Sequence, residues 1–315
     1  MEADIPSEQF LRIRRLVFDR PEARTRFARW LVTIQRQNHP AAVELVRSNL
    51  ALCFPQLGAG QIEGLVERNL LQYFDSKLEN AGFSDASDDE VRQRVSLENL
   101  ELLTSRRGQP VVIVCPHFIN FGAICHRLAL ETPVVALYAG ESMGKTLKAI
   151  PRFNNHMLLP SDANGVRAAI RQLQQGKTLF VMPDLHPLQG MGVRVSFFSK
   201  PTLSSPLVGE LQKYGNATVL GLVPTLSGGH HRGEFCEPIS GPTTHLSTTD
   251  WCAAMTRFFE QEIRKRPEQY WWGHPRFAAV GADDRSPYSS VVDLHVSMLF
   301  GAFKAQSQAA VAPMF

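Results

Sequence analysis

Val111-Val112-Ile113-Val114-Cys115-Pro116-His117-Phe118-Ile119-Asn120-Phe121-Gly122 is the stretch that decides the fold. Its first half is apolar and β-branched, and Gly108-Gln109-Pro110 precedes it. Such a run, bounded by turn residues, reads as a buried strand. Pro116 ends it, and residues 122–130 carry the apolar spacing of a helix. His117 therefore falls just past the C-terminal end of a strand, where open α/β sheets place their ligands. A histidine that merely caps a loop is the plain alternative.

Downstream, the pattern keeps alternating. Residues 133–138 read as a strand and residues 144–150 as a short helix. A longer helix follows Ser161, with Val166, Ile170 and Leu173 inward and Gly176 as its stop. Residues 178–182 read as a buried strand ending at Pro183-Asp184. Residues 193–198 read as a strand, 202–214 as a helix and 217–223 as a strand. Thr248 or Thr249 can cap a long helix carrying Trp251, Met255, Phe258, Phe259 and Ile263. Strands alternating with helices predict an α/β fold: a mixed, largely parallel sheet flanked by helices.

Upstream, residues 8–37 (with a break near Asp19-Arg20-Pro21), 41–54 and 62–81 read as helices, and residues 84–90 as an acidic loop. They form an N-terminal helical wrapper. The expected organisation is a helical region over 1–105, an α/β core over 106–282 and a tail over 283–315, in one structural domain overall. The tail holds an apolar segment over 291–303 that could dock on the domain or on a membrane.

Composition sets limits. The 315 residues are 44% hydrophobic and 20% charged, ordinary for a globular chain. A net charge of +3 is too weak to argue for nucleic acid. The N-terminal arginines, among them Arg20, Arg24, Arg26 and Arg29, alternate with Phe18, Phe27, Trp30 and Leu31. That pattern suits either a packed helical arm or contact with lipid head groups. The five cysteines are scattered, with no CxxC pair, and read as reduced cytosolic thiols without a zinc site. No signal peptide or membrane-spanning run stands out. Cytoplasmic placement, with peripheral contact at the inner face of a bacterial inner membrane, is the expectation.

Five motifs occur in one order. They are Asn49-Leu50-Ala51-Leu52-Cys53-Phe54-Pro55; Pro116-His117-Phe118-Ile119-Asn120-Phe121-Gly122; Phe180-Val181-Met182-Pro183-Asp184; Val193-Arg194-Val195-Ser196-Phe197-Phe198-Ser199-Lys200-Pro201; and Tyr270-Trp271-Trp272-Gly273-His274-Pro275-Arg276-Phe277. In that order the chain resembles the lipid A biosynthesis (late) acyltransferase family, of the wider lysophospholipid acyltransferase fold, over residues 40–280. The resemblance implies transfer of an acyl group from acyl-CoA or acyl carrier protein, without a cofactor or metal. It implies a lipid acceptor, and the departures below widen this to a specialised metabolite with a hydroxyl or amine. A non-catalytic acyl-binding descendant and a thioester hydrolase are the rival readings.

The resemblance makes His117 the general base. The family's acid stands five residues on, and here that position is Gly122. A literal His-x4-Glu at His126 and Glu131 sits in the wrong context, within and after a helix, and is rejected. Asp184 at the end of a neighbouring strand, or Glu141 in the loop after the strand over 133–138, could supply the missing carboxylate. His117 and Asp184 are thus the candidate catalytic residues. Asn120, Arg152, Glu141, His186 and Lys200 are candidate substrate-binding residues. Arg152 resembles an arginine suited to a phosphate or oxyanion. His230 and His231 are adjacent, but no third ligand lies at metal spacing.

Overall fold

The computed structural model describes residues 15, 17–185, 187, 192–237, 246–278 and 287–288. The tail segment 291–303 and His186 lie outside the described residues. Three helices open the described chain: α1 (Pro21–Asn38), α2 (Pro40–Cys53) and α3 (Ala59–Phe83). Proline at the first turn starts α1 and α2, where its missing N–H costs nothing. Gln61 accepts from the Gly58 N–H at the start of α3, 2.9 Å away.

The acidic segment expected to be a loop is partly helix α4 (Asp88–Arg94). Ser87 and Glu90 form a reciprocal capping box that starts it. Strand β1 (Val95–Glu98) follows, so the sheet begins earlier than its first strongly apolar run. Next come α5 (Glu101–Thr104), β2 (Val111–Val114), α6 (Phe121–Leu128), β3 (Val135–Tyr138), α7 (Glu141–Lys148), β4 (Met157–Pro160), α8 (Ala163–Gln174) and β5 (Thr178–Val181). After β6 (Val193–Phe197) and β7 (Lys200–Ser204) come α9 (Leu207–Gly215), β8 (Thr218–Ser227), β9 (His230–Cys236) and α10 (Thr248–Lys265).

Seven strands form one sheet in the order β1-β9-β8-β2-β5-β3-β4, and β8 and β9 make its antiparallel pair. Both faces are covered, as parallel strands require. Val112 and Val114 pack toward the N-terminal helices, α8 and α10. Val111 and Ile113 pack on the opposite face with Ile124, Leu128, Phe180 and Leu220. The alternation with period two turns one apolar run into both halves of the core.

Two expectations are corrected here. Residues 200–204 pair antiparallel with β6 as a separate hairpin, although the sequence pattern starts a helix at Thr202. The helix begins only at Leu207. The cap of α10 is Ser247, which accepts from the Asp250 N–H, rather than Thr248 or Thr249.

After α10, residues 267–272 form a strap against α2 and α3. Two buried asparagines hold its carbonyls. Asn69 of α3 donates to Glu268 O and Tyr270 O at 2.9 and 2.7 Å. Asn49 of α2 donates to Trp272 O and His274 O at 2.7 and 2.8 Å. The helical wrapper thus fixes a short 3-10 turn, Pro267–Gln269, and the extended residues after it, where Tyr270 bridges antiparallel to Phe118. Each buried carbonyl left without a donor would cost about 1–3 kcal/mol.

Candidate active site

Strands β2 and β5 are parallel neighbours, with Val114 level with Val181. Cys115 N–H continues the ladder to Val181 O at 3.0 Å. His117 and Asp184 each lie three residues beyond that last paired position, so the register brings them together. His117 Nδ1 is 2.6 Å from Asp184 Oδ1. The His117 backbone N–H donates to Asp184 Oδ2 at 2.9 Å, and the Tyr270 hydroxyl donates to the same oxygen at 2.9 Å.

Asp184 is 2% exposed. Burial alone would push its carboxyl up, but the neighbouring His117 ring and these hydrogen bonds outweigh it and hold the group below the usual carboxylate range. Asp184 is therefore ionised at neutral pH. A carboxylate accepts only, so a neutral His117 places its proton on Nδ1 and leaves Nε2 bare. The His117 side chain keeps 19% of its surface open, between the rings of Phe121 and Trp271 at 6.0 and 5.8 Å. An open imidazole with an apolar flank, backed by a buried carboxylate, can take a proton from a bound hydroxyl or amine.

Gly122 has a physical partner. A Cβ built there would meet Asn80 Nδ2, Oδ1 and Cγ at 2.3, 2.5 and 2.6 Å. The α3 side chain fills the space in which a side chain at position 122 would start. Restoring an acid with Gly122→Glu is therefore expected to lower both activity and melting temperature, by about 1–3 kcal/mol in stability from overpacking. Asn80→Ala in the same chain should recover most of the stability. Thermal melts and acyl-transfer rates of the single and double variants check this. A large rate gain from Gly122→Glu alone would contradict it.

The other candidates spread apart. Asn120 stands at the cap position of α6 and its Nδ2 faces His231 Nδ1 at 3.5 Å. His231 in turn lies 2.9 Å from Glu79, and Arg24 meets Glu79 at 3.0 Å, all of them buried. His231 is thus a core histidine, and no group of metal-ligating side chains occurs among the described residues. Arg152 donates to Phe83 O at 2.8 Å, to Ala86 O and to His126 Nδ1 at 3.0 Å, and lies 3.3 Å from Asp88. These bonds tie the loop before β4 to the end of α3, and none of them reaches His117 or Asp184. His126 is buried and pushed down to about 3 by burial and by Arg152, while Glu131 pairs with Arg127. Lys200 is exposed at the start of β7. Glu141 opens α7, and its side chain lies outside the described part of the structure. Tyr270 and Asn69 also shape the site. The only sequence signal was the place of Tyr270 in the aromatic closing motif.

A seven-stranded sheet with an imidazole–carboxylate pair at the C-terminal ends of adjacent parallel strands places the molecule among α/β proteins built to work at that edge. The sequence model of the bacterial lipid A biosynthesis acyltransferases matches residues 20–279, and the chain belongs to that family. It is 24% identical over 257 residues to a lipid A biosynthesis acyltransferase of Haemophilus influenzae, covering 77% of this chain and 79% of that protein. It is 23% identical to the lipid A biosynthesis myristoyltransferase of Escherichia coli, over 71% of each chain. Against the lipid A biosynthesis palmitoleoyltransferase of Escherichia coli it is 22% identical, over 78% of this chain and 81% of that one. Membership supports acyl transfer in general, with an acyl donor and a lipid acceptor. No helix among the described residues is long and apolar enough to cross a membrane.

Proposed function

We propose that this chain moves an acyl group from an acyl thioester, on CoA or acyl carrier protein, to a hydroxyl or amine of a lipid or specialised-metabolite acceptor. His117 is the general base. Its bare Nε2 takes the acceptor proton as the acceptor oxygen or nitrogen bonds to the thioester carbonyl carbon. The C–S bond then breaks, and the thiolate leaves with the proton returned from His117. Asp184 holds the ring in the required tautomer and stabilises the imidazolium between the two steps. The observation that supports this reading best is the 2.6 Å contact between His117 Nδ1 and Asp184 Oδ1 beside an open imidazole face.

The enzyme would work from the cytoplasmic face of a membrane. In support, Trp30 is 53% exposed and stacks on Phe27, beside the exposed Arg26 and Arg29. Cation and indole together suit an anionic lipid surface.

The test is a matrix of acyl-CoA and acyl carrier protein donors against hydroxyl and amine acceptors, read by mass spectrometry. Acylated acceptor is the expected product. Free fatty acid alone would make the protein a thioester hydrolase. Donor binding with neither product, across the matrix, would make it an acyl-binding protein and sink the proposal.

A further inference from the structure

We propose that Tyr270 is a positioning residue of this site, fixing the direction in which Asp184 presents its carboxylate to His117. The inference rests on His117 being the base, as proposed above.

Asp184 Oδ2 receives both the Tyr270 hydroxyl and the His117 backbone N–H, each at 2.9 Å. With that oxygen held by two donors, the carboxylate cannot turn about its own axis. Oδ1 remains aimed at the imidazole. The hydroxyl is well placed to do this because the whole residue is pinned. The Tyr270 ring sits edge-on to Trp272 at 4.9 Å and to Phe118 at 6.1 Å. Its carbonyl is held by Asn69. On either side, Ile119 N–H donates to Gln269 O at 2.7 Å and Trp271 N–H donates to His117 O at 2.9 Å. Two backbone hydrogen bonds therefore join the strap to the histidine loop, and Tyr270 links that joined pair to Asp184. Burial, reinforced by the Asp184 carboxylate, pushes the phenol well above its ordinary range, so it stays protonated and donates. Phenylalanine would fill the same volume, and the described partner of the hydroxyl is Asp184 alone.

The experiment is Tyr270→Phe, with kcat, KM and a pH profile. A hydrogen bond to a charged group is worth about 1.5–3 kcal/mol, so kcat should fall roughly tenfold to a hundredfold. KM for the acyl donor should stay within about twofold, because uniform binding is untouched. The acid limb of kcat/KM should move to higher pH. Removing a donor makes the carboxylate more basic, and a more basic carboxylate holds the imidazolium more firmly. The Cys115 thiol and the Arg276 guanidinium, also within electrostatic reach of Asp184, are unchanged in the variant.

A fall in melting temperature with kcat and the acid limb unmoved would overturn the inference, leaving the hydroxyl a packing group. Should Tyr270→Phe fail to fold, 3,5-difluorotyrosine placed at position 270 keeps ring and hydroxyl while making a stronger donor. The acid limb should then move to lower pH, and an unmoved limb would overturn the inference. The two readings fail separately. If His117→Ala leaves transfer intact, the base assignment is lost. If His117→Ala abolishes transfer while Tyr270→Phe changes neither readout, only the role of Tyr270 is lost.

Discussion

His117→Ala is expected to lower kcat/KM for acyl transfer by about a thousandfold or more, the range seen when the base of a nucleophile–base pair is removed. The fold should survive. The ring is partly open, with Phe121 and Trp271 as its ring neighbours. The residual rate would come from substrate binding and orientation, which the variant leaves in place. Donor KM should change little, since the proposed role of the imidazole is on the acceptor proton. Circular dichroism and a thermal melt, run beside the kinetics, separate lost chemistry from lost structure.

Asp184→Asn is the second large effect, and its logic is geometric. Both carboxylate oxygens face donors: Oδ1 faces the His117 ring, and Oδ2 faces the His117 backbone N–H and the Tyr270 hydroxyl. An amide has only one accepting end. If its oxygen stays with the two donors at Oδ2, its NH2 faces His117 Nδ1 and forces that nitrogen to accept. The ring proton then moves to Nε2, and the base is lost. If the amide flips, the NH2 is pressed against the His117 backbone N–H in a buried site, and the Tyr270 hydroxyl must turn from donor to acceptor. Either way kcat should fall by about a hundredfold to ten thousandfold. The second arrangement would also cost about 1–3 kcal/mol of stability for the unpaired groups.

Stability should carry a pH signature of the same carboxylate. The folded state holds the Asp184 carboxyl below its ordinary value. Its contribution is thus present above the unfolded-state value and is lost as pH falls through the folded one.

The sequence carried much of this, for reasons that can be named. The β2 run, and the β5 run after Thr178, are apolar because both faces of the sheet are covered, and each ends at a proline just before the proposed site residue, His117 or Asp184. Once those strands are taken as neighbours, equal offsets bring His117 and Asp184 together without further information. Strands β1 and β4 escaped notice because each is four residues long at a sheet edge, where partial exposure dilutes the pattern. Helix α4 was hidden by its charge, since Val91 is its single buried residue, although Ser87 and Glu90 spelled out a capping box. Two site features had no local signal. Asn80 filling the space at Gly122 and Tyr270 meeting Asp184 join positions far apart in sequence, and only the packing of α3 and the strap relates them. Arg152 shows the reverse: motif order pointed to the site, while its hydrogen bonds hold the Phe83–Ala86 turn.

The most direct measurement is nitrogen-15 NMR of the His117 ring, in the full chain at neutral pH, assigned with a His117→Gln control. A base poised by Asp184 has its proton on Nδ1 and an unprotonated Nε2, and in Asp184→Asn the proton should sit on Nε2 wherever the amide oxygen stays with the two donors at the Oδ2 position. A wild-type ring that carries its proton on Nε2 would contradict the account.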